Sequence, residues 1–403
     1  MIPLSQIYEA KKRVDRVIVE TPFSYAPLVS NRTGKKVYLK KENLQNTGAF
    51  KLRGAFNKIA TLSDEEKERG VVAASAGNHA QGVAFSANYF GIPATIVMPE
   101  NTPLTKVNGV KAYGAEVILR GGNYDEAYEY AVGFAKEQAK SFVHPFADEL
   151  VMAGQGTIAL EILEKCKELD AILIPVGGGG LIAGMASAIK QLDPKIKVIG
   201  VTAAGAPAMR ESFKLGKAVD STEVKTIADG IAVRDTSPKT LGIILETVDD
   251  IVEVDDEEIA DAILFLLENQ KLVVEGAGAV GVAALLYDKV DLPKDAKVAV
   301  VLSGGNIDVT MLSVIIEKGL IKSYRKMKLI VTLVDKPGSL MKLTQLLAQV
   351  SANIVSIGYD RTSTHLAFGD ANVSIALETK GKEHQEQIRA LLSEHGYRYH
   401  EER

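Results

Sequence analysis

The chain has 403 residues, of which 46% are hydrophobic and 24% are charged, and its formal net charge is −4 at pH 7. This length predicts two or three domains with a large core, and the nearly balanced charge gives no reason to expect nucleic acid or an acidic membrane surface as a partner. The single cysteine excludes an intrachain disulfide, and one cysteine with six scattered histidines offers no cluster of metal ligands, so we expect no metal site.

The beginning of the chain, MIPLSQIYEAKKRVD, lacks the apolar core of a secretory signal. No apolar run reaches the roughly 18–20 residues that are needed to span a bilayer. We therefore expect a cytoplasmic protein that has no membrane partner.

A rhythm of short strands and helices is predicted from about residue 70 to residue 318. The predicted strands are VVAAS (71–75), ATIVMP (94–99), AEVILR (115–120), AILIPVG (171–177), KVIGVT (197–202) and VAVVLSGG (298–305). They are apolar almost throughout, which is typical of parallel strands buried on both faces, and the alternation of β and α segments predicts an α/β fold. We expect two sheets: a smaller one over 70–148, and a larger one that combines the N-terminal residues with 149–318.

The pattern changes in the last part of the chain. The predicted elements there are a strand KLIVTLV (328–334), a helix SLMKLTQLLAQVS (339–351), strands NIVSIGYDR (353–361) and DANVSIALET (370–379), a helix over 382–396 and a short final strand. This βαββαβ order predicts a ferredoxin-like domain. We place this domain at 327–403, appended to a region of catalytic size over 1–320.

The stretch PVGGGGLIAG (175–184) lies between a predicted strand and a predicted helix. Successive glycines allow backbone N–H groups to turn toward one point, and a helix N-terminus adds a partial positive charge, so the stretch predicts a phosphate site. No Gly-Lys-Ser/Thr follows, as a P-loop requires, and the acidic residue of a dinucleotide fingerprint is absent. The alternative is a flexible loop, but four glycines between two apolar elements are costly to order.

Two more polar stretches follow predicted strands, at the edge where α/β sheets bind ligands. In SAGNHAQG (75–82), Ser75 suits either a helix N-cap or a ligand contact, and Asn78 offers both a donor and an acceptor. For His79, a packed helix residue is the alternative to a ligand contact. In LSGGNID (302–308), Ser303 supplies a neutral hydroxyl beside two glycines.

Lys51 in TGAFKLRGA (47–55) follows a phenylalanine and lies between two glycines. Taken alone, such a lysine is more often a surface charge. Beside apolar groups its pKa would fall, and the free amine could form an imine. One cofactor requires both a reactive amine and a phosphate pocket, namely pyridoxal 5′-phosphate (PLP).

TGAFKLRGA, SAGNHAQG, PVGGGGL and SGGN, in this order and spacing, resemble the threonine dehydratase (threonine ammonia-lyase) family, which belongs to the tryptophan-synthase-β-like PLP enzymes of fold type II. The resemblance covers residues 1–320, and the tail 327–403 resembles an ACT domain, an amino-acid-sensing module. It implies an enzyme that converts L-threonine to 2-oxobutanoate and ammonia, and L-serine to pyruvate, by removal of the α-proton and loss of the β-hydroxyl.

The resemblance also implies a role for each matching residue. Lys51 would hold PLP as an imine and then move the α-proton, Phe50 would pack beside the pyridine ring, and Asn78 would bind the 3-hydroxyl. Ser303 would face the pyridine nitrogen and leave it largely neutral, which favours prompt loss of a β-leaving group. The phosphate would be held by Gly177, Gly178, Gly179, Gly180 and Leu181. The substrate carboxylate would be held by Ser75, Ala76, Gly77, Asn78 and His79.

The chain departs from some relatives of this family at identifiable positions. The related serine racemases have a second serine that acts as the opposite base, where this chain has Ala76, so racemase activity is disfavoured. Some relatives bind a divalent cation through a glutamate and an aspartate, at positions that match Thr202 and Ala208 here. Glu275 in EGAGA is a further candidate neighbour of the cofactor pocket.

For the tail, the resemblance to ACT domains implies an effector pocket, usually formed between paired domains. The matching positions are Asp335, Gly338, Ser339, Leu340 and Asn353. Isoleucine or valine would be the effector, and a homo-oligomer, either a dimer or a tetramer, is expected. The alternative is that this domain only mediates oligomerisation.

Two other functions compete with the lyase. The first is PLP-dependent β-replacement, but those relatives commonly have Ser/Thr-Ser-Gly-Asn-Thr at the asparagine motif, where this chain has His79 and Ala80 after the asparagine. The second is a non-catalytic amino-acid sensor, which the joint presence of Lys51, Asn78, the glycine stretch and Ser303 disfavours.

Overall fold

A computed structural model describes residues 1–402. The chain divides into two compact units, one over residues 1–307 and one that begins at Asp308. None of the helices in residues 1–402 is both long and apolar enough to cross a membrane.

The strands of the first unit are numbered in chain order. They are β1 (Phe23–Tyr25), β2 (Lys36–Lys40), β3 (Val71–Ala74), β4 (Ala94–Met98), β5 (Glu116–Leu119), β6 (Ser141–Phe142), β7 (Ala171–Pro175), β8 (Lys197–Ala203), β9 (Asp250–Val254) and β10 (Lys297–Val301). One sheet has the order β1-β2-β10-β7-β8-β9 and the other the order β5-β4-β3-β6. All neighbours are parallel except β1 and β2.

The helices of the first unit connect these strands. They are α1 (Leu4–Val14), α2 (Pro27–Thr33), α3 (Lys51–Ala60), α4 (Asp64–Arg69), α5 (Asn78–Tyr89), α6 (Leu104–Lys111), α7 (Tyr124–Glu137), α8 (Glu149–Lys165), α9 (Gly180–Leu192), α10 (Ala208–Leu215), α11 (Pro238–Thr247), α12 (Asp256–Gln270) and α13 (Gly276–Leu286). Two short 3₁₀ helices cover Glu42–Leu44 and Asp229–Ile231.

The two predicted sheets and the α/β fold are confirmed. Strands β3, β4 and β7 are buried throughout, as their continuous apolar sequences predict. The prediction of a buried strand is wrong for 115–120, because β5 is the edge of its sheet and both Glu116 and Leu119 are exposed. The sequence analysis also missed β1, β2, β6 and β9, of which β6 is only two residues long.

The order of the strands brings four loops together. Strands β10 and β7 are neighbours in the larger sheet, so the loops that follow their carboxyl ends meet at one edge. Strands β3 and β6 are neighbours in the smaller sheet, and the loops 75–77 and 143–148 follow them. The loops after β3, β7 and β10 carry the polar and glycine-rich stretches of the sequence, and the loop after β6 carries none of them.

The second unit contains an antiparallel sheet with the order β12-β13-β11-β14. Its elements are α14 (Val309–Lys322), β11 (Lys326–Val334), α15 (Ser339–Gln349), β12 (Asn353–Asp360), β13 (Asp370–Glu378), α16 (Lys382–Glu394) and β14 (Arg398–Glu402). From β11 onward this is the predicted βαββαβ order. Alternate residues of β11 are buried together with Leu343 of α15 and Ile388 of α16, so both helices cover the same face of the sheet. The domain limits 1–320 and 327–403 stay a prediction, and α14 groups with the second unit.

Candidate active site

Lys51 is the first residue of α3, and its side chain is partly buried. Its amine donates a hydrogen bond to the carbonyl oxygen of Pro145 at 3.0 Å and lies 5.3 Å from the centre of the Phe50 ring. Burial lowers the pKa of this amine to about 8, although the charge of Glu275 partly opposes the shift. Lys51 makes no ion pair within residues 1–402, so it is a cation in an environment that favours its neutral form.

The start of α3 is fastened to the loop that follows β10. Gly48 has a φ of +72°, and a side chain there would collide with the amide of Asn306. The N–H of Phe50 donates to the carbonyl oxygen of Ser303 at 3.0 Å, and Ala49 and Gly304 form an isolated β-bridge. These contacts place the predicted residues Phe50, Lys51 and Ser303 side by side.

Asn78 begins α5, and both ends of its amide are engaged. Its Nδ2 donates to Oε1 of Glu275 at 2.7 Å, and its Oδ1 accepts from Nδ2 of Asn306 at 2.5 Å. Glu275 is only 3% exposed, and burial, with the charge of Asp229, raises its pKa to about 7. A carboxyl group that titrates near neutral pH therefore lies directly behind the predicted ring-binding asparagine.

The glycine loop, defined as Gly177–Gly180, connects β7 to α9, and Gly179 has a φ of +86°. A Cβ at Gly178 would collide with the ring of Phe146, and one at Gly180 would lie 2.8 Å from Cα of Phe146. Among the described residues, no acceptor is bonded to the backbone N–H groups from Gly177 to Leu181. A set of free N–H groups at a helix N-terminus suits a phosphate.

The residues predicted to hold the substrate carboxylate surround the start of α5. The N-cap is Gly77, not Ser75, whose hydroxyl accepts from the N–H of Gly77 at 3.2 Å. Ala76 lies with them in the loop between β3 and α5. This loop therefore offers a hydroxyl and several N–H groups at one helix end.

His79 is buried, and its Nε2 lies 2.8 Å from the carbonyl oxygen of Val143. Burial, followed by the charge of Lys51, lowers its pKa to about 3. Its Nδ1 has no partner among the described residues. His79 is therefore neutral near pH 7 and is held by the backbone that follows β6.

These residues fit PLP on the geometry of the chain itself. The amine of Lys51 would be the group that holds the cofactor, and the unbonded N–H groups of the glycine loop would hold its phosphate. Asn78 and Ser303 supply polar groups beside the amine, since both connect to the loop that follows β10.

Sequence reasoning missed several residues of this site. Asn306 joins Asn78 to the carbonyl oxygen of Thr47, and it directly follows the glycines of a stretch that had been singled out. Pro145 and Phe146 lie in HPFAD, after a strand too short to give a periodic signal. Only their position after a strand end could have marked them.

In the second unit, most of the predicted effector residues lie in one turn. Asp335, Gly338, Ser339 and Leu340 lie between β11 and the first turn of α15, and Gly338 has a φ of +87° just before the helix begins. Asp335 accepts a hydrogen bond from the hydroxyl of Tyr359 at 2.9 Å. The turn is thus fastened to the end of β12.

Asn353 lies elsewhere. It begins β12 and pairs with Glu378, which in turn pairs with Lys326 at the start of β11. The turn follows the other end of β11, so Asn353 is separated from it by the length of the strand. Within one unit the structure does not bring Asn353 to the other predicted effector residues.

Comparison with known proteins agrees with this geometry. A family model described as pyridoxal-phosphate dependent enzyme matches residues 14–304. An L-threonine ammonia-lyase of Thermotoga maritima is 50% identical over 397 residues, which cover 98% of this chain and 98% of the relative.

Two solved structures resemble most of this chain. The processed form of threonine deaminase isoform 2 from Solanum lycopersicum superposes with a TM-score of 0.75 and 39% identity, covering 78% of this chain and 86% of that one. Maize serine racemase superposes with a TM-score of 0.74 and 36% identity, covering 80% of this chain and 98% of that one.

Proposed function

Since the chain belongs to the family of pyridoxal-phosphate dependent enzymes, we propose that it is an L-threonine ammonia-lyase that forms 2-oxobutanoate and ammonia. L-Serine would give pyruvate by the same route. The observation that carries the proposal is the amine of Lys51, which is partly buried and unpaired with any carboxylate of residues 1–402. It is bonded to Pro145, whose neighbour Phe146 packs on the glycine loop. The 50% identity with an enzyme of that name along nearly the whole chain supports it.

Lys51 would carry the proton transfer. PLP, when it is bound, supplies an electron sink for the bonds at the substrate Cα. With a pKa of about 8, the amine of Lys51 is neutral in about one tenth of the molecules at pH 7, and this neutral form would take the α-proton. A lysine with an ordinary pKa would be almost fully protonated there and could not act as a base.

Asn78 and Ser303 would hold the cofactor ring, and Glu275 would hold Asn78. The hydrogen bond from Asn78 to Glu275 fixes the orientation of the amide. The second N–H and the oxygen of this amide therefore keep a fixed direction. Ser303 offers a neutral hydroxyl, and a hydroxyl does not keep a proton on a ring nitrogen as a carboxylate does. This favours prompt elimination over long-lived carbanion chemistry.

The loop from Ser75 to the start of α5 would bind the substrate carboxylate. Its N–H groups lie at a helix N-terminus, where the helix dipole favours an anion. The imidazole of His79 is held by Val143, so its part here would be to fix the helix start.

Serine racemization is the second candidate function, since the maize racemase is 36% identical. Ala76 opposes it, because a methyl group cannot exchange a proton on the second face of the substrate. Formation of D-serine from L-serine at a rate comparable with pyruvate release would favour the racemase.

The direct test is release of 2-oxo acid from L-threonine by the purified chain with added PLP, beside Lys51→Ala. We expect steady 2-oxobutanoate from the wild type and none from the variant. Bound cofactor, seen by its visible absorbance, with no 2-oxo acid from threonine or serine would contradict the lyase and point to β-replacement or sensing.

We propose further that the second unit is an ACT domain that controls the enzyme in a homo-oligomer. The βαββαβ order supports this, as does the turn at Gly338, where N–H groups at a helix start suit an effector carboxylate. Because Asn353 lies at the other end of the sheet, it would complete a pocket only if a second copy supplied it. Isoleucine or valine would be the effector.

The test is threonine turnover and thermal unfolding with saturating isoleucine or valine. A changed rate together with a raised melting temperature is expected, since a ligand that binds only the folded state stabilises it. Unchanged turnover and an unchanged melting curve with both amino acids would contradict effector control and favour a role of this unit in oligomerisation alone.

A further inference from the structure

The loop that follows β6, here called the HPFA segment (residues 144–147), contacts the two chemically important parts of the site at once. The carbonyl oxygen of Pro145 accepts the hydrogen bond from the amine of Lys51. The next residue, Phe146, packs on the glycine loop so closely that Gly178 and Gly180 have no room for a Cβ. One peptide unit therefore separates the acceptor of the reactive amine from the side chain that shapes the phosphate donors.

His144 holds this segment in place. Its Nδ1 accepts hydrogen bonds from the N–H of Phe146 at 3.2 Å and from the N–H of Ala147 at 2.8 Å. Its ring also packs edge-on against the ring of Phe146, with 4.7 Å between the centres. Acceptance from the N–H groups two and three positions ahead is the geometry that asparagine and aspartate use to close turns.

The far end of the segment is also fixed. Asp148 caps α8 by accepting from the N–H of Leu150 at 2.8 Å, and it forms an ion pair of 2.9 Å with Lys58. Since Lys58 is on the same helix as Lys51, the segment cannot move away from α3 without breaking this pair. The freedom that remains lies in the turn at its beginning, where His144 supplies both hydrogen bonds.

We propose that His144 is a positioning residue, whose turn sets the place of the Lys51 amine through Pro145 and the shape of the glycine loop through Phe146. Only the expected effect of His144 on turnover depends on the proposed lyase reaction. The location of the amine can be measured in the protein before any cofactor is added. His144 itself transfers no proton in this role, because both hydrogen bonds require only that Nδ1 be an acceptor.

The test compares His144→Asn, which keeps an acceptor for the turn, with His144→Leu, which removes it. Neither variant keeps the aromatic contact with Phe146, so the difference between them isolates the two hydrogen bonds. The first readout is the pH midpoint for acetylation of Lys51 by trace acetic anhydride in cofactor-free protein, followed by peptide mass spectrometry. The midpoint should stay near the wild-type value in His144→Asn and rise by about 1 pH unit in His144→Leu, because a displaced amine is less desolvated.

The second readout is the affinity for PLP, followed by its visible absorbance. His144→Leu should bind about tenfold more weakly, the equivalent of one lost hydrogen bond, and His144→Asn should stay within about threefold of the wild type. With threonine, His144→Leu should lose kcat by about the same factor at nearly constant KM, because His144 is not among the residues proposed to bind the substrate.

Two controls keep the result decisive. Val110→Ala removes buried volume from the core of the smaller sheet, and it should lower the melting temperature without moving the Lys51 midpoint. If His144→Leu does not fold, His144→Gln replaces it, since its longer side chain carries the acceptor past the turn. Equal midpoints in wild type, His144→Asn and His144→Leu, or its replacement His144→Gln, would overturn the proposal, as would a shift of the same size in Val110→Ala. An absence of 2-oxobutanoate from the wild type would contradict only the lyase.

Discussion

Two basic residues, Lys51 and Arg53, lie two positions apart at the start of α3, and their surroundings shift their pKa values in opposite directions. Arg53 is fully buried and bonded to carboxylates, with Nη2 at 2.8 Å from Glu42 and Nη1 at 2.5 Å from Glu161. Burial alone would lower the pKa of Arg53, but the charges of Glu42 and Glu161 outweigh it and raise the pKa. Lys51 has only a neutral carbonyl as acceptor, so burial prevails and its pKa falls.

The difference shows that burial does not by itself decide whether a charge is structural or reactive. Arg53 also donates to the hydroxyl of Thr157, and Lys40 donates to Glu161, so these buried charges have their partners within the protein. The partners of Lys51 leave its amine free to lose its proton. The same helix start therefore contains a cation that its carboxylate partners keep charged and an amine whose neutral form burial favours.

Removal of the Lys51 amine should have the largest effect on turnover and almost none on folding. In Lys51→Met, 2-oxobutanoate release should fall by at least roughly 10²–10⁴-fold, the contribution of a positioned acid–base group. The melting temperature of cofactor-free protein should stay the same or rise, since a depressed lysine pKa means stability that is lost as pH falls through about 8. A large loss of folding stability would show that Lys51 is an anchor after all.

Arg53→Met, in contrast, should have a large effect on folding stability. It leaves Glu42 and Glu161 buried without their main partner, which should lower the free energy of unfolding by about 3–5 kcal/mol, measured by denaturant titration. A matched control is Lys297→Met, which removes an exposed pair with Glu168 and should leave the unfolding curve nearly unchanged. Similar unfolding curves for both variants would contradict a structural role for the buried network.

Glu275→Gln should have a smaller effect that depends on pH. The pKa of this carboxyl is raised to about 7, so its contribution to stability is present below about 4.5 and is lost as pH rises through 7. The variant keeps an acceptor for Asn78 and cannot ionise. Its stability relative to the wild type, measured without cofactor, should therefore rise between pH 5 and pH 8 by up to about 3 kcal/mol. A constant difference over this range would mean that Glu275 titrates normally.

The sequence predicted much of the fold because its signals were local. Continuous apolar runs and the glycine-rich stretches marked the strands and the sheet edge. The motifs of Lys51 and Asn78 both contact the loop that carries Ser303, through Phe50 and through Asn78 itself. The remainder depends on long-range contacts without a periodic signal. Arg53 meets Glu161 over more than a hundred residues of chain, and β6 is too short to mark the HPFA segment.

The burial of a strand and the contact partner of a side chain also depend on long-range contacts. The apolar residues 117–119 of β5 resemble those of its buried neighbours, and Glu116 is the one local sign that this strand lies at an edge. The place of a strand in the sheet depends on strand order. His79 follows Asn78 in a polar stretch. Its imidazole contacts the carbonyl oxygen of Val143, which follows β6 of the smaller sheet, and this long-range contact has no signal in the local sequence.

The most direct measurement is the pH dependence of Lys51 acetylation in the wild-type protein without cofactor, with the exposed lysines of the same sample as internal references. The structure predicts a midpoint near pH 8, well below that of the exposed lysines. A midpoint near 10.5, the ordinary value for a lysine, would contradict the assignment of Lys51 as the reactive amine.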